Sequence, residues 1–327
     1  MSFWSGRNVF VTGCTGFLGR WLTGELLDRG AHVVGLVRDV VPSAPFFVDG
    51  IAARISSVRG ALEDYPLLER AVNEYEIDSV FHLGAQAIVG AANRNPLATF
   101  EANVRGTWNL LEACRRNPKV SRVVVASSDK AYGIHATLPY DEDAPLRGTH
   151  PYDVSKSCAD LISVTYHHTY GTPVCVTRCG NLFGPGDTNF SRIVPGTIRS
   201  ALLGERPIIR SDGTMVRDYI HVKDIAAAYL LLAERMEDRS LQGEAFNFGM
   251  GEPQSVLEIT RLVLKAAGRE VLEPVILNEA KAEIPVQYLS SEKARTRLGW
   301  KPGRPLVERL AETVEWYREH LARAARA

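Results

Sequence analysis

The chain has 327 residues, 45% of them hydrophobic, enough to build two lobes rather than one core. Its 38 basic and 38 acidic residues cancel; that excludes a global field for nucleic acid or an anionic membrane and leaves any anionic ligand to local groups. No apolar run approaches the roughly 20 residues that cross a bilayer, and the opening Met-Ser-Phe-Trp-Ser-Gly-Arg lacks the layout of a signal peptide.

Residues 7–12 read as a strand and 17–29 as the helix after it. A second strand is expected at 32–37 and a weaker third at 53–58, followed by a helix at 67–76 and a strand at 79–83. Residues 96–116 carry apolar side chains at helical spacing, and 121–126 is the most strand-like run of all. A helix with proline in its first turn spans 151–170, and another strand follows at 174–178. Near-continuous apolar strands separated by helices predict an α/β fold, a doubly wound parallel sheet covered on both faces. Past residue 180 the rhythm is lost, with breaks near Gly204, Gly213 and 249–253 and helices at 192–203, 222–234, 255–267 and 305–323. The expected division is a dinucleotide-binding domain at 1–179, rejoined by 222–247, and a smaller substrate lobe at 180–221 and 248–327. Five scattered cysteines (Cys14, Cys114, Cys158, Cys175, Cys179) show no metal-type spacing and read as buried free thiols in a reducing cytoplasm.

The first strand runs into Thr12-Gly13-Cys14-Thr15-Gly16-Phe17-Leu18-Gly19. A strand-to-helix turn that approaches a pyrophosphate needs residues without Cβ, and the helix N-terminus adds partial positive charge. Gly13, Gly16 and Gly19, with Thr15, Phe17 and Leu18 between them, therefore predict a dinucleotide site. The second strand ends at Arg38-Asp39. Asp39 can accept from a ribose hydroxyl and favours NAD, whereas Arg38 can pair with a 2′-phosphate and favours NADP; the balance leans to NAD.

Tyr152 and Lys156 stand four apart at the start of the 151–170 helix, on one face. A neighbouring ammonium is expected to lower the tyrosine's pKa, making it a base for a substrate hydroxyl while hydride leaves carbon. Ser128 closes the strongest strand, where parallel sheets bind ligands, and can hold the substrate oxygen beside Tyr152.

With these residues in place the chain resembles the extended short-chain dehydrogenases that act on nucleotide sugars, the NAD-dependent epimerases and dehydratases. The resemblance runs almost end to end through TGCTGFLG at 12–19, FHLGAQ at 81–86, NVRGT at 103–107, SSDKAYG at 127–133, PYDVSK at 151–156, RCGNLFGPGD at 178–187, RDYIHVKD at 217–224 and LGWKP at 298–302. It implies that Leu62 and the segment from His82 through Leu83, Gly84, Ala85 and Gln86 line the cofactor, with Asn103 beside them supporting the active-site helix. Gln86, Asn181, Arg192 and Arg217 would hold the nucleotide-diphosphate sugar; for Arg217-Asp218 the plainer reading is a surface ion pair, and for Asn181 a turn residue. A homodimer through the 96–116 and 151–170 helices is implied as well.

Asp129-Lys130, directly after Ser128, resembles the pair of the CDP-glucose 4,6-dehydratase branch. There an acid donates to the departing 6-hydroxyl and its neighbour acts on C5. The resemblance thus implies a 4,6-dehydratase, with a UDP-sugar 4-epimerase second and a non-catalytic cofactor-binding relative third. Lys130 serves either as base or as the cation that stabilises an enolate. A solvated Asp129-Lys130 pair on a loop rim is the plain alternative.

Overall fold

The computed structural model describes residues 2–279 and 284–324. Its first half runs β1 (Asn8–Thr12), α1 (Phe17–Asp28), β2 (His32–Val37), α2 (Pro45–Val48), β3 (Ser56–Arg59), α3 (Tyr65–Glu74), β4 (Ser79–His82), α4 (Val89–Arg94), α5 (Pro96–Phe100), α6 (Gly106–Arg115), β5 (Arg122–Ala126), α7 (Pro151–Tyr170) and β6 (Val174–Cys179). The second half contributes β7 (Asn181–Phe183), α8 (Ile193–Leu203), β8 (Ile208–Ile209), β9 (Val216–Arg217), β10 (Tyr219–His221), α9 (Val222–Arg235) and β11 (Ala245–Phe248). It closes with β12 (Gln254–Ser255), α10 (Val256–Ala266), β13 (Val275–Ile276), β14 (Val286–Gln287), α11 (Glu292–Leu298) and α12 (Leu306–Ala324).

The strands form one seven-stranded sheet in the order β11-β6-β5-β4-β1-β2-β3, with every pairing parallel. Strands such as Val-Phe-Val in β1 and Val-Val-Val in β5 are buried on both faces, which is why they carry no alternation. One face packs Leu22 and Leu26 of α1 against Ile225 and Leu232 of α9. The other packs Leu68 and Val72 of α3 against Leu110 and Leu111 of α6. A third core, around Phe183, Ile198, Ile259, Leu310 and Tyr317, holds the smaller lobe together. Its α10 begins with a full capping box, Ser255 accepting from the Glu258 amide and Glu258 reaching back to Ser255.

Two expectations are corrected. The third strand begins at Ser56, because residues 51–54 make a turn of 3-10 helix instead. The single helix expected over 96–116 is broken at Glu101–Arg105 by a π-turn. Gly106 just beyond it sits so close to Leu62 that an added Cβ would lie 2.6 Å from the leucine's own. Asn103, within the π-turn, is buried.

Candidate active site

A cleft of about 1030 Å³ opens at the carboxyl ends of the parallel strands, between the sheet and the smaller lobe. At one end lies the glycine turn. Gly13 has φ of +71°, and a Cβ on it would stand 2.7 Å from the Gly84 amide nitrogen; one on Gly19 would stand 2.0 Å from the Gly13 carbonyl. Among the described residues no side chain caps the first turn of α1, and its amide groups face the cleft beside Gly13, Thr15, Gly16, Phe17, Leu18 and Gly19. Such a cradle, closed to side chains and lined with unsatisfied N–H donors, fits a pyrophosphate. Leu36, Ala61 and Leu62 extend it as an apolar slot ending at Arg38 and Asp39. Those two pair with each other at 2.6 Å and are about two-thirds exposed.

Leu83, Gly84 and Ala85 line the cleft. His82 is buried between Thr12 Oγ1 (2.8 Å from Nδ1) and Thr107 Oγ1 (3.0 Å from Nε2), and burial pushes its pKa down to about 3. Asn103 accepts from the Gln86 amide at 2.7 Å and donates to the Gln86 carbonyl and to Ser155 Oγ at 3.2 and 2.9 Å. The Gln86 side chain accepts from the Ile88 amide at 3.2 Å. Asn103 thus ties the loop after β4 to α7, and His82 ties β4 to β1 and α6.

Ser128, Asp129 and Lys130 follow β5 on a 3-10 turn and meet Tyr152 and Lys156 of α7 at the cleft floor. The Ser128 hydroxyl donates to Asp129 Oδ1 at 3.0 Å and accepts from the Lys130 amide at 3.2 Å. Asp129 is 2% exposed, which removes the solvated-pair reading, and its Oδ2 has no hydrogen-bond partner among the described residues. Burial raises its pKa, against the opposing pull of Lys130, Ser128 and Arg217.

The tyrosine and lysine depart from expectation in one respect. Lys156 Nζ donates to the Ala126 carbonyl at 2.6 Å. Burial lowers its pKa to about 8, opposed by Asp160 and Cys179. The Tyr152 phenol is pushed up to about 12, burial outweighing its interaction with Ser128 and the charge of Arg192. The tyrosine is therefore a protonated phenol in the protein alone. An adjacent cation delivered by a ligand would favour its phenolate.

Asn181, Arg192 and Arg217 lie on the smaller-lobe side of the same cleft. Asp187 pairs with Arg192 at 2.9 Å. Arg217 and Asp218 are both buried, so the surface-ion-pair reading fails: Asp218 turns away to accept from the Met250 and Gly251 amides at 2.9 and 3.3 Å, and burial raises its pKa to about 6. Residues missed from the sequence include Arg94, Arg210, Cys179, Tyr229 and the His150–Asp153 pair (3.3 Å), all facing the cleft. Nothing in their local spacing marks them.

The parallel sheet, the glycine cradle and the serine–tyrosine–lysine group define a nicotinamide-dependent member of the short-chain dehydrogenase class. The chain belongs to the NAD-dependent epimerase/dehydratase family, whose model matches residues 9–249. It is 30% identical to the CDP-glucose 4,6-dehydratase of Salmonella typhimurium, over 97% of this chain and 92% of that one. Among solved structures, the dTDP-glucose 4,6-dehydratase of Streptomyces venezuelae with NAD bound superposes with a TM-score of 0.87 at 28% identity, covering 96% and 98% of the two chains. The UDP-glucose 4-epimerase of Thermotoga maritima with UDP-glucose gives the same TM-score at 29% identity, covering 96% and 99%.

Proposed function

We propose that the protein is a nucleotide-sugar 4,6-dehydratase, most similar in its acid pair to enzymes of CDP-glucose. Asp129 carries this reading. It is a buried carboxyl with a raised pKa and one oxygen without a described partner, in the same cleft as Tyr152. An epimerase that only carries a C4 ketone across the site has no use for such an acid, whereas elimination of a 6-hydroxyl needs one.

The glycine turn and the slot ending at Asp39 would hold NAD, which would supply a reversible hydride acceptor for C4 and C6, so that the cycle would be redox-neutral. Tyr152, with Ser128 beside it, takes the proton of the 4-hydroxyl. The ketone so formed acidifies the C5 proton. Lys130, next to Asp129, acts on C5, taking that proton or stabilising the enolate it leaves. Asp129 protonates the C6 oxygen, and water departs. Asn181, Arg192 and Arg217 hold the nucleotide diphosphate from the smaller lobe at 180–221 and 248–327, opposite the dinucleotide-binding part at 1–179 and 222–247.

We further assign the protein to the cytoplasm, in keeping with five free cysteines, and to a homodimer. Leu97, Trp108 and Leu161 support the dimer: they are apolar, 71%, 43% and 58% exposed, on α5, α6 and α7. Sedimentation at assay concentration should give the mass of two chains; a single-chain mass would remove the dimer. The activity is tested by NMR of the purified enzyme with CDP-, dTDP-, UDP- and GDP-glucose and no added reductant. A methyl signal with a C4 ketone or its hydrate is expected from one of them. Interconversion at C4 with the C6 oxygen retained would move the assignment to a 4-epimerase.

A further inference from the structure

The proposed cycle occupies three positions of the hexose. Tyr152 serves the 4-hydroxyl, and Asp129 and Lys130 serve C6 and C5. The other ring neighbour of C4 is C3, and its hydroxyl has no partner in that cycle. A sugar held at one oxygen can swing about that contact, whereas a second hydrogen bond beside it fixes the orientation. Four side chains of α7 and its N-cap line the cleft: His150, Tyr152, Asp153 and Lys156. Tyr152 and Lys156 belong to the serine–tyrosine–lysine group; His150 and Asp153 stand outside it.

His150 is held from two sides. It ends a segment whose Arg147 amide donates to the Ala131 and Tyr132 carbonyls at 3.0 and 3.1 Å, on the turn that carries Asp129 and Lys130. Gly148 packs so closely on the first turn of α7 that a Cβ would lie 2.6 Å from the Asp153 carbonyl carbon. Asp153 then orients the ring. Its carboxylate is buried and places Oδ2 3.3 Å from His150 Nδ1, with Thr149 Oγ1 at the same distance. A carboxylate only accepts, so Nδ1 carries the proton. In the neutral imidazole that leaves a lone pair on Nε2, to which no described residue bonds.

We infer that His150 accepts a hydrogen bond from the sugar's 3-hydroxyl through Nε2 and so selects substrates that carry it. Asp153 is the positioning residue, fixing the ring and its tautomer. The site thereby reads the substituent at C3 as well as those at C4 and C6. A sugar without that hydroxyl loses the bond and leaves Nε2 unmet in the cleft. The inference rests on the dehydratase reading, which assigns C5 and C6 to Lys130 and Asp129.

The test crosses variants with substrates on the NAD-loaded enzyme. Wild type, His150→Ala and Asp153→Asn are each given the accepted nucleotide glucose and its 3-deoxy and 2-deoxy analogues, below the melting temperature of all three. The His150 side chain makes no cap bond at α7, so His150→Ala takes no cap from the helix. With the parent sugar, His150→Ala should lower kcat/KM about 10- to 100-fold and Asp153→Asn by a smaller factor. With the 3-deoxy sugar both variants should match wild type within about twofold, because the bond they disturb is already gone. With the 2-deoxy sugar the full loss should return. An unchanged parent rate, or an equal loss with the 3-deoxy sugar, would overturn the contact. A loss that disappears with the 2-deoxy sugar would overturn its assignment to the 3-hydroxyl. A wild type that makes no 4-keto-6-deoxy product would instead overturn the dehydratase reading beneath it.

Discussion

Behind the cleft, Asp160, Arg178, Tyr132 and Asn247 form one buried polar cluster; at its floor, Ser128, Asp129 and Tyr152 form another. The first is closed. Arg178 meets Asp160 through two bonds of 2.8 and 2.9 Å and donates to Tyr132 Oη at 2.8 Å, which passes on to Asn247 Oδ1 at 2.8 Å; Asn247 then donates to the Tyr140 carbonyl at 3.0 Å. The second is open: among the described residues Asp129 Oδ2 has no partner and Lys156 Nζ bonds one carbonyl. Burial costs most where polar groups go unmet. A fully paired cluster therefore fixes the frame, and an unmet one beside it stores the demand that a substrate satisfies.

The largest effect is expected at the open cluster. Asp129→Asn should lower turnover by about 10²–10⁴-fold while the melting temperature holds or rises, because a buried carboxyl without a full set of partners is exchanged for a neutral amide. A large loss of stability would move Asp129 into the structural cluster. At the closed cluster the pattern inverts. Arg178→Met leaves the Asp160 charge buried and unpaired and should cost about 3–5 kcal/mol in denaturant unfolding, whereas Asp160→Leu combined with Arg178→Met should recover most of it.

A smaller effect is expected with pH. Lys156 titrates at about 8 in the folded protein against an ordinary value of 10.5. Between those values the unfolded chain holds a proton that the folded chain has given up, so the lysine's contribution to stability improves as pH climbs through that window. Turnover should fall over the same window, as the ammonium is lost. Melting curves of wild type and Lys156→Met, compared across it, should converge as pH rises; parallel curves would place the titration elsewhere. Least of all, Arg38→Ala should change stability by no more than about 1 kcal/mol, since its exposed ion pair contributes little. It releases Asp39 and should raise the preference for NAD over NADP in binding titrations.

Much of this was legible in the sequence. The cradle was readable because its demand is local: a turn that admits no Cβ must be written in glycine, and Gly13, Gly16 and Gly19 show it. Ser128, Asp129, Tyr152 and Lys156 were readable because strand ends and helix turns place them without help from distant residues. The π-turn at Glu101–Arg105 was not, since helical spacing of apolar residues does not separate a π-turn from the α-helix around it. Strands of two or three residues such as β8, β9 and β12 are too short to show a period. The direction of the shift on Tyr152 also escaped, because helical spacing puts Lys156 nearby but says nothing of how deeply both groups are buried.

In the proposed dehydratase cycle hydride leaves C4 and returns to C6 of the same sugar while Asp129 discharges the 6-hydroxyl. Deuterium placed at C4 of the accepted nucleotide glucose tests it most directly, read by NMR and mass of the product. The label is expected in the new methyl group at C6, one deuterium per molecule, with no reductant consumed. Label retained at C4 of a sugar that still carries its C6 oxygen would contradict the dehydratase account and leave Asp129 without its role.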